Sequence, residues 1–397
     1  MTIYRALPDP NGSLYESRDF ILGSRLARRA FVAARDHFTN FICDLLDATQ
    51  RLSQSCHLPE FTDHGLPHLC SLVDRVSQWQ PPGDPREYVV NGMSPQNARL
   101  LLVAVLIHDL GMLSQKPEDL PDYHSTALDP SQWSDIASWV RRTHVVRLPK
   151  LLFRVMETYD TQYIELLSET AAGALRNSVD IAMAHQRWPW QWEGEWANNL
   201  EYRGLAAIVS VADLLDEDSA RCDTETLLEH RGGDELNRAH WIRHVLTTNR
   251  VQIQNGEIFI NMCRPPETDR VFKPVFSALR NHFRLVLLYE DELRYIRAPI
   301  TTVHLTPSTG IPVSEAASLE HWQNLEEYAN EHGFAFQLLR TFMPEALKDG
   351  RKLDPTTLEK LRPASLEDVD IHLLEKAEMR FEPRTSIEQT FEALVGG

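Results

Sequence analysis

The chain has 397 residues, of which 43% are hydrophobic and 24% are charged, and these globular proportions exclude wholesale disorder and a collagen-like architecture. Its 40 basic residues against 57 acidic ones give a formal net charge of −17, and so acidic a protein repels polyanions. We therefore expect neither non-specific nucleic-acid binding nor attraction to an anionic membrane. A bound cation can still admit a small anionic substrate into one pocket.

The cysteines indicate a reducing environment. All five are scattered and form no CxxC pair, which argues against a disulfide framework and against a zinc ribbon. A cytoplasmic protein is the simplest expectation. The first twenty residues contain no apolar stretch long enough for a signal peptide. No run of about eighteen apolar residues occurs, so we expect no membrane span.

The first part of the chain has helical periodicity. Residues 1–20 are rich in Pro, Asn, Gly and Ser and are expected to form a loose arm. Apolar spacing predicts a helix from Phe20 to about Leu52 and another from His68 to Trp79. Ser94 and Pro95 are typical of a helix start, and the helix that they open is apolar nearly all round. Further helices are predicted at 131–145, 149–157, 160–186, 197–217 and 236–247.

The pattern changes near residue 250. Two β-rich stretches flank Asn255-Gly256, which predicts a two-residue hairpin turn. A helix over about 272–293 and a strand over 301–305 are predicted to follow. The sequence thus predicts a mainly α protein. Its predicted parts are an N-terminal arm (1–20), a helical domain (21–248) and a smaller mixed α/β C-terminal domain (249–397).

Two adjacent polar residues, His108 and Asp109, directly follow seven apolar residues, Leu101 to Ile107. Burying an unpaired carboxylate is costly, so Asp109 needs a partner. A divalent metal ion could satisfy both side chains, because imidazole nitrogen and carboxylate oxygen are common metal ligands. A buried His–Asp pair held by hydrogen bonds explains the dipeptide equally well.

Other imidazoles and one more acid interrupt apolar stretches in the same way. His64 and His68 are spaced i, i+4 and would share one face of a helix. The interruptions fall on five of the predicted helices and are His68, His108-Asp109, His144, His185 and Asp213. One such interruption is usually a satisfied core residue. Five of them predict that the helices converge on one polar centre.

This pattern resembles the HD superfamily of metal-dependent phosphohydrolases over about residues 55–222. His68 matches the first histidine of that superfamily. His108-Asp109, in the sequence HDLGM, matches the doublet that gives it its name. Asp213, in the sequence ADLLDED, matches its last aspartate. The resemblance implies an HD-type helical bundle.

The resemblance also implies one or two divalent metal ions. The first would be held by His68, His108, Asp109 and Asp213. His144 and His185 fall where two-metal members carry additional histidines, which implies a second ion bridged by Asp109. We expect Mn²⁺ in vitro, with Fe²⁺, Ni²⁺, Co²⁺, Zn²⁺ or Mg²⁺ as alternatives.

The implied activity is hydrolysis of a nucleotide, or of a related phosphoester or phosphoanhydride, by a metal-activated hydroxide. Three branches with known substrates are not matched. Met112 replaces the lysine of the cyclic di-GMP-cleaving HD-GYP branch, the residues after the doublet differ from those of the deoxynucleotide triphosphohydrolases, and the HD-x-x-E-D motif of the guanosine-tetraphosphate hydrolases is missing.

Two other functions remain as alternatives. The chain could be a catalytically silent HD domain that senses a nucleotide and signals through its C-terminal domain. It could also be a helical scaffold for a partner protein, but a scaffold gives the buried acids Asp109 and Asp213 no role. The sequence allows a homo-oligomer and does not identify the substrate.

Asp109, His64 and His144 are the candidates for catalysis. His64 could be a general acid, a peripheral metal ligand or a helix cap, and Asp63 a helix cap or a catalytic acid. Four arginines could bind substrate phosphate, because guanidinium groups bind phosphate bidentately; they are Arg142, Arg147, Arg187 and Arg221. A helix-surface position is the ordinary alternative for three of them, and stacking on tryptophan is the alternative for Arg187.

Four tryptophans follow His185 closely, at Trp188, Trp190, Trp192 and Trp196. They could stack on a nucleobase, but we expect a packed cap over the helices. His240 and His244 are spaced i, i+4 in an amphipathic pattern, which favours a surface helix over a separate metal site.

Overall fold

The chain is mostly helical in the part that the computed structural model describes. The described residues are 14–32, 36–55, 64–114, 136–167, 175–186, 189, 192–216, 251–263, 286, 289–300 and 302–308. This result confirms the predicted mainly α fold class, and the arrangement is compatible with a helical HD-type bundle.

The elements are named here in chain order. The helices are α1 (Leu14–Leu22), α2 (Arg25–Ala30), α3 (Asp36–Ser55), α4 (Leu66–Gln78), α5 (Val89–Gly92), α6 (Pro95–Ile107), α7 (Ile136–Glu157), α8 (Gln162–Leu167), α9 (Arg176–Met183), α10 (Leu200–Leu214) and α11 (Glu290–Tyr295). Short 3₁₀ helices cover Leu110–Leu113, Ala184–Gln186 and Trp196–Asn198. The strands are β1 (Gln252–Gln254), β2 (Glu257–Cys263) and β3 (Thr302–Ser308).

The chain divides into two compact units. The first contains Met1–Asp216, Gln252–Gly256 and Asp291–Pro299, and the second contains Glu217–Val251, Glu257–Glu290 and Ile300–Gly397. Helices α1 to α10 therefore belong to the first unit, and strands β2 and β3 belong to the second. The domain boundaries predicted from the sequence, 1–20, 21–248 and 249–397, are not tested by this division and remain a prediction.

Helix α6 is the core helix of the first unit and packs against α2, α4, α9 and α10. Every residue from Leu100 to Ile107 is at most 1% exposed. Ser94 caps this helix as predicted, because its side chain accepts a hydrogen bond from the N–H of Asn97. Among the described residues, Pro95–Leu113 is long and apolar enough to cross a membrane, but 89% of its apolar window is buried inside the protein, as in a core helix.

The predicted single helix from Phe20 to Leu52 is wrong. Helices α1, α2 and α3 replace it, and α1 already begins at Leu14, inside the predicted arm. The first break falls at Gly23-Ser24, where Ser24 is extended and its side chain accepts from the N–H of Ala27. A local N-cap thus outweighs the continuous apolar periodicity.

The predicted break between 145 and 149 is also wrong, because α7 continues through Pro149. An interior proline removes one backbone hydrogen bond and usually costs about 3 kcal/mol. The neighbouring Leu148, Leu151 and Leu152 are fully buried, and their packing offsets this cost.

Other predicted helices are shorter than expected. Helices α8 and α9 and the 3₁₀ helix Ala184–Gln186 replace the one predicted at 160–186, and residues 168–174 lie outside the described residues. The side chain of Asn199 caps α10, so the predicted helix at 197–217 divides there. The predicted helix 236–247 and most of 272–293 lie outside the described residues, although α11 covers the end of the second one.

The turn predicted at Asn255-Gly256 is confirmed. Both residues have positive φ, 53° and 74°, as a two-residue hairpin turn requires. Strands β1 and β2 flank this turn in the chain. Strand β3, which confirms the strand predicted at 301–305, pairs in parallel with β2 from Glu257–Thr302 to Cys263–Ser308.

We predict that removal of the Ser94 cap destabilises the core helix. Ser94→Ala deprives the N–H of Asn97 of its acceptor, and the free energy of unfolding should fall by about 1 kcal/mol. Urea denaturation measures the change. Ser94→Asp keeps a side-chain acceptor and is the control that should retain wild-type stability. Equal stability of Ser94→Ala and the wild type would contradict a role for the cap.

Candidate metal centre

The His108-Asp109 doublet lies where helix α6 ends. His108 is the C-cap residue, and Asp109 leaves helical geometry with φ −103° and ψ 9°. The carbonyl of Asp109 accepts a hydrogen bond of 2.8 Å from the N–H of Met112, within the 3₁₀ turn that follows. This change in the backbone allows two adjacent side chains to face one centre, and both are buried.

The first subsite comprises His68 on α4, His108 and Asp109 at the end of α6, and Asp213 on α10. The Nε2 atoms of His68 and His108 are 3.2 Å apart. Asp109 Oδ2 lies 3.6 Å from Nε2 of His68 and 3.4 Å from Nε2 of His108. Asp213 Oδ1 lies 3.8 Å and 3.6 Å from the same two atoms. This group could hold a metal ion.

The second subsite shares Asp109 with the first and adds His144 on α7 and His185. Asp109 Oδ1 lies 3.5 Å from Nε2 of His144 and 3.4 Å from Nε2 of His185. All three side chains are buried. The two oxygens of Asp109 therefore face different sets of imidazoles, so the carboxylate has the position of a bridge between the subsites.

His64 lies beside the first subsite and does not cap helix α4. The N-cap residue is Gly65, the residue after His64. The Nδ1 atom of His64 lies 2.8 Å from Asp109 Oδ2, and its side chain is 13% exposed. The structure therefore excludes the helix-cap alternative for His64. The remaining alternatives are a peripheral metal ligand and a proton donor. Asp63 lies outside the described residues.

Three of the imidazoles are oriented by a bond at their other nitrogen. Nδ1 of His68 lies 2.6 Å from Asp216 Oδ2, Nδ1 of His108 lies 2.9 Å from the carbonyl of Val105, and Nδ1 of His185 lies 2.6 Å from the carbonyl of Ala182. Carboxylates and carbonyls only accept, so each Nδ1 carries the proton. Each Nε2 is then available to bind a metal ion, as in other histidine metal sites.

Asp216 is a functional residue that the sequence analysis missed. It is 1% exposed and contacts three side chains on one face of α4 at i, i+3 and i+7: His68, Ser71 and Arg75. Arg75 also donates to the carbonyl of Ala212 at 2.9 Å, which ties α4 to α10. The spacing of those three residues, and the second acid in ADLLDED, are the sequence features that could have revealed it.

The charges at the centre favour a cation. Burial lowers the pKa of His108, but the Asp109 and Asp213 carboxylates outweigh burial and raise this pKa to about 10. Burial raises the pKa of Asp109, yet the nearby His108 and His64 hold it well below its usual range. Burial likewise raises the pKa of Asp213, and its hydrogen bond with His108 is the main cause of the net lowering. The carboxylates therefore stabilise a positive charge here, on a proton or on a metal ion.

The donor set fits a divalent metal ion. Ligand bonds of about 2.0–2.2 Å place neighbouring ligand atoms roughly 3.0–3.5 Å apart, and the separations in the first subsite run from 3.2 Å to 3.8 Å. The Nε2 atoms of His68 and His108 lie 3.2 Å apart, and at this distance either a shared proton or a metal ion relieves the repulsion between their lone pairs. Mixed imidazole and carboxylate ligands suit Mn²⁺, Fe²⁺, Co²⁺, Ni²⁺ or Zn²⁺.

The arginines predicted to bind substrate are not confirmed as a group. Arg147 is fully buried, and its guanidinium donates to the carbonyls of Gly111, Ser114 and Val140. The structure therefore gives Arg147 a packing role in place of the predicted contact with substrate. Arg142 lies on α7, but its side chain is outside the described part, as are Arg187 and Arg221 entirely.

The tryptophans are described in part. Trp192 is buried, donates to the carbonyl of Ala184 at 3.1 Å and lies 5.8 Å from the ring of Trp196. The guanidinium of Arg203 lies 5.1 Å from the Trp192 ring. These contacts agree with the expected packed cap. Trp188, Trp190, His240 and His244 lie outside the described residues.

We predict that Asp216 strengthens metal binding through His68. Asp216→Asn weakens the acceptor at Nδ1 of His68, and the affinity for Mn²⁺ should fall by about 10–100-fold. Competition with a fluorescent chelator measures the affinity. Ser71→Ala removes one bond to Asp216 but keeps the carboxylate, so its affinity should stay near that of the wild type. Unchanged affinity in Asp216→Asn would contradict this role.

Comparison with known proteins identifies a family. The chain matches the sequence model of the family described as HD-CE over residues 58–294, which is more than half of its length and includes every residue of both subsites. No curated protein and no solved structure matches it. The match extends well beyond residue 222, where the resemblance found in the sequence ends. The chain belongs to the HD-CE family of HD-type domains.

Proposed function

We propose that the chain is a divalent-metal-dependent phosphohydrolase that acts on a small phosphorylated substrate, most simply a nucleotide. The observation that carries the proposal is the position of Asp109. Its Oδ2 faces the imidazoles of His68 and His108, and its Oδ1 faces those of His144 and His185. Two adjoining ligand sets that share one carboxylate are the arrangement that phosphoryl-transfer chemistry uses.

Six residues would hold metal, and one of them, Asp213, also faces solvent. His68, His108, Asp109 and Asp213 would hold one ion, and Asp109, His144 and His185 would hold the other. Bound divalent ions lower the pKa of water and neutralise charge on phosphoryl oxygens. Asp213 is 24% exposed at its side chain, whereas the His68, His108 and Asp109 side chains are at most 6% exposed. Substrate therefore enters on the Asp213 side.

His64 is the best candidate for protonating the leaving oxygen. Its Nδ1 is hydrogen-bonded to Asp109 Oδ2 at 2.8 Å, so the carboxylate stabilises a protonated imidazole. Its side chain is 13% exposed and thus lies at the edge of the centre rather than inside it. Because Nδ1 is bonded to Asp109, the proton for the leaving oxygen would come from Nε2 of the imidazolium.

The acidity of the whole chain limits the substrate class. A net charge of −17 disfavours polyanions, and a small phosphate ester depends on local positive charge from bound metal. Arg142, Arg187 and Arg221 stay candidates for additional phosphate contacts. Mn²⁺ is the ion that we propose for assays.

The first prediction from this function concerns Asp109. Asp109→Ala removes the shared ligand, so elemental analysis should find metal in the wild-type protein and none in the variant. Turnover of dNTPs, NTPs, cyclic nucleotides or bis-p-nitrophenyl phosphate with Mn²⁺ should disappear with the metal. Asp84→Ala, at an exposed loop carboxylate paired with Arg86, is the matched control and should behave as the wild type.

Each outcome of that screen has a clear meaning. Loss of metal and of turnover together supports the hydrolase. Metal without turnover of any substrate contradicts it and favours the nucleotide sensor. Absence of metal after reloading with Mn²⁺ or Fe²⁺ contradicts the metal site itself.

A second prediction concerns His64. His64→Asn should retain wild-type metal content, because His64 lies outside both ligand sets. Turnover of a nucleotide should fall by about 10²–10⁴-fold. Turnover of a p-nitrophenyl ester should fall much less, because p-nitrophenolate leaves without a proton. Equal losses with both substrates would contradict the role of His64 as the acid.

A further inference from the structure

A buried arginine lies one helical turn after the second-subsite histidine on α7. His144 and Arg147 are spaced i, i+3 and therefore share a face of the helix. Arg147 is fully buried, which is rare for a guanidinium group. Its burial has to be offset by hydrogen bonds with good geometry.

The guanidinium joins two segments of backbone. The Nη2 group donates to the carbonyl of Gly111 at 2.7 Å and to that of Val140 at 3.3 Å, and the Nη1 group donates to the carbonyl of Ser114. Gly111 and Ser114 belong to the turn that directly follows Asp109, whereas Val140 lies on α7. Arg147 thus fixes the distance between the turn after Asp109 and the helix that carries His144.

Gly111 allows the turn after Asp109 and helix α7 to approach each other closely. A Cβ atom at position 111 would clash with the backbone oxygen of His144. Any larger residue would therefore push the turn and the helix apart at His144 itself. Glycine at this position lets the backbone of α7 rest directly on the turn.

The first subsite meets this contact only through Asp109, which precedes the turn. Its ligands come from α4, from the end of α6 and from α10, and none of them is on α7. His144 Nε2 lies 3.5 Å from Asp109 Oδ1, and a shift of α7 away from the turn would lengthen this distance directly.

We propose that Arg147 is a positioning residue that creates the second metal subsite by holding His144 at Asp109. This inference rests on the proposed function, because it assumes that both subsites bind metal. Arg147 acts through the backbone carbonyls to which its guanidinium donates. A lysine cannot replace it, because one ammonium cannot reach three separated carbonyls with the geometry of a planar guanidinium.

The experiment compares Arg147→Lys, Arg147→Met and Gly111→Ala with the wild type, each as the full chain loaded with Mn²⁺ alone. Metal content per chain and the electron paramagnetic resonance spectrum are measured. We expect two ions and a spin-coupled pair in the wild type, and one ion with an uncoupled Mn²⁺ spectrum in the variants. Affinity for the remaining ion should change by less than about 3-fold. His144→Ala is the reference for loss of the second subsite.

Arg154→Lys, on the same helix but only half-buried, is the matched control and should keep both ions.

The inference is overturned if the Arg147 variants keep a spin-coupled pair. It is also overturned if folded variants lose both ions together, as a merely structural role would predict. Gly111→Ala decides the question if the Arg147 variants do not fold. A wild-type chain that binds one ion overturns the inference but leaves a one-metal hydrolase intact, whereas a wild type that binds no ion overturns the proposed function as well.

Discussion

The rest of this structure depends on one buried carboxylate. Asp109 is 5% exposed, and imidazole nitrogens from five histidines lie within 3.6 Å of its two oxygens: His64, His68, His108, His144 and His185. Removing such a charge from water costs several kcal/mol unless positive charge and hydrogen-bond donors replace the water. The helices of the first unit are arranged so that this replacement occurs at one point.

The helices meet this requirement in two ways, by apolar packing around α6 and by hydrogen bonds at the outer nitrogens of the imidazoles. Apolar residues on all sides of α6 bury the helix and deliver His108 and Asp109 to its end. Bonds at the outer nitrogens then orient the rings, from Asp216 to His68 and from backbone carbonyls to His108 and His185. Because those outer nitrogens are already bonded, the inner ones converge on the carboxylates. The same architecture thus satisfies the buried acids and leaves a ligand set that suits a divalent ion.

The ligand set was predictable from the sequence because each member interrupts an apolar stretch. His108 and Asp109 end the most apolar run of the chain, and Asp213 falls in another one. Asp216 was not predictable in this way, because it lies in the acidic stretch 216–218. The sequence of such a stretch does not distinguish a buried carboxylate from an exposed one. Its role depends on Ser71 and Arg75, which are far away in the sequence.

The incorrect predictions about Arg147 and Pro149 likewise arise because the contacts that decide them are not visible in a local sequence pattern. The sequence makes Arg147 a candidate for substrate binding because the charge of a side chain is visible there, whereas two of the backbone carbonyls that accept from it, those of Gly111 and Ser114, lie more than thirty residues away. The continuity of α7 through Pro149 likewise comes from packing that no local pattern contains. In contrast, the break at Ser24 follows a local capping rule and could have been predicted.

The most direct test of the account is the location of metal in crystals of the wild-type protein soaked in Mn²⁺, measured by anomalous diffraction at the manganese edge. We expect two anomalous peaks, one beside each carboxylate oxygen of Asp109. The first should also lie near His68, His108 and Asp213, and the second near His144 and His185. No peak at Asp109, or a peak only at another place in the chain, would contradict the claim that this buried carboxylate bridges two metal subsites.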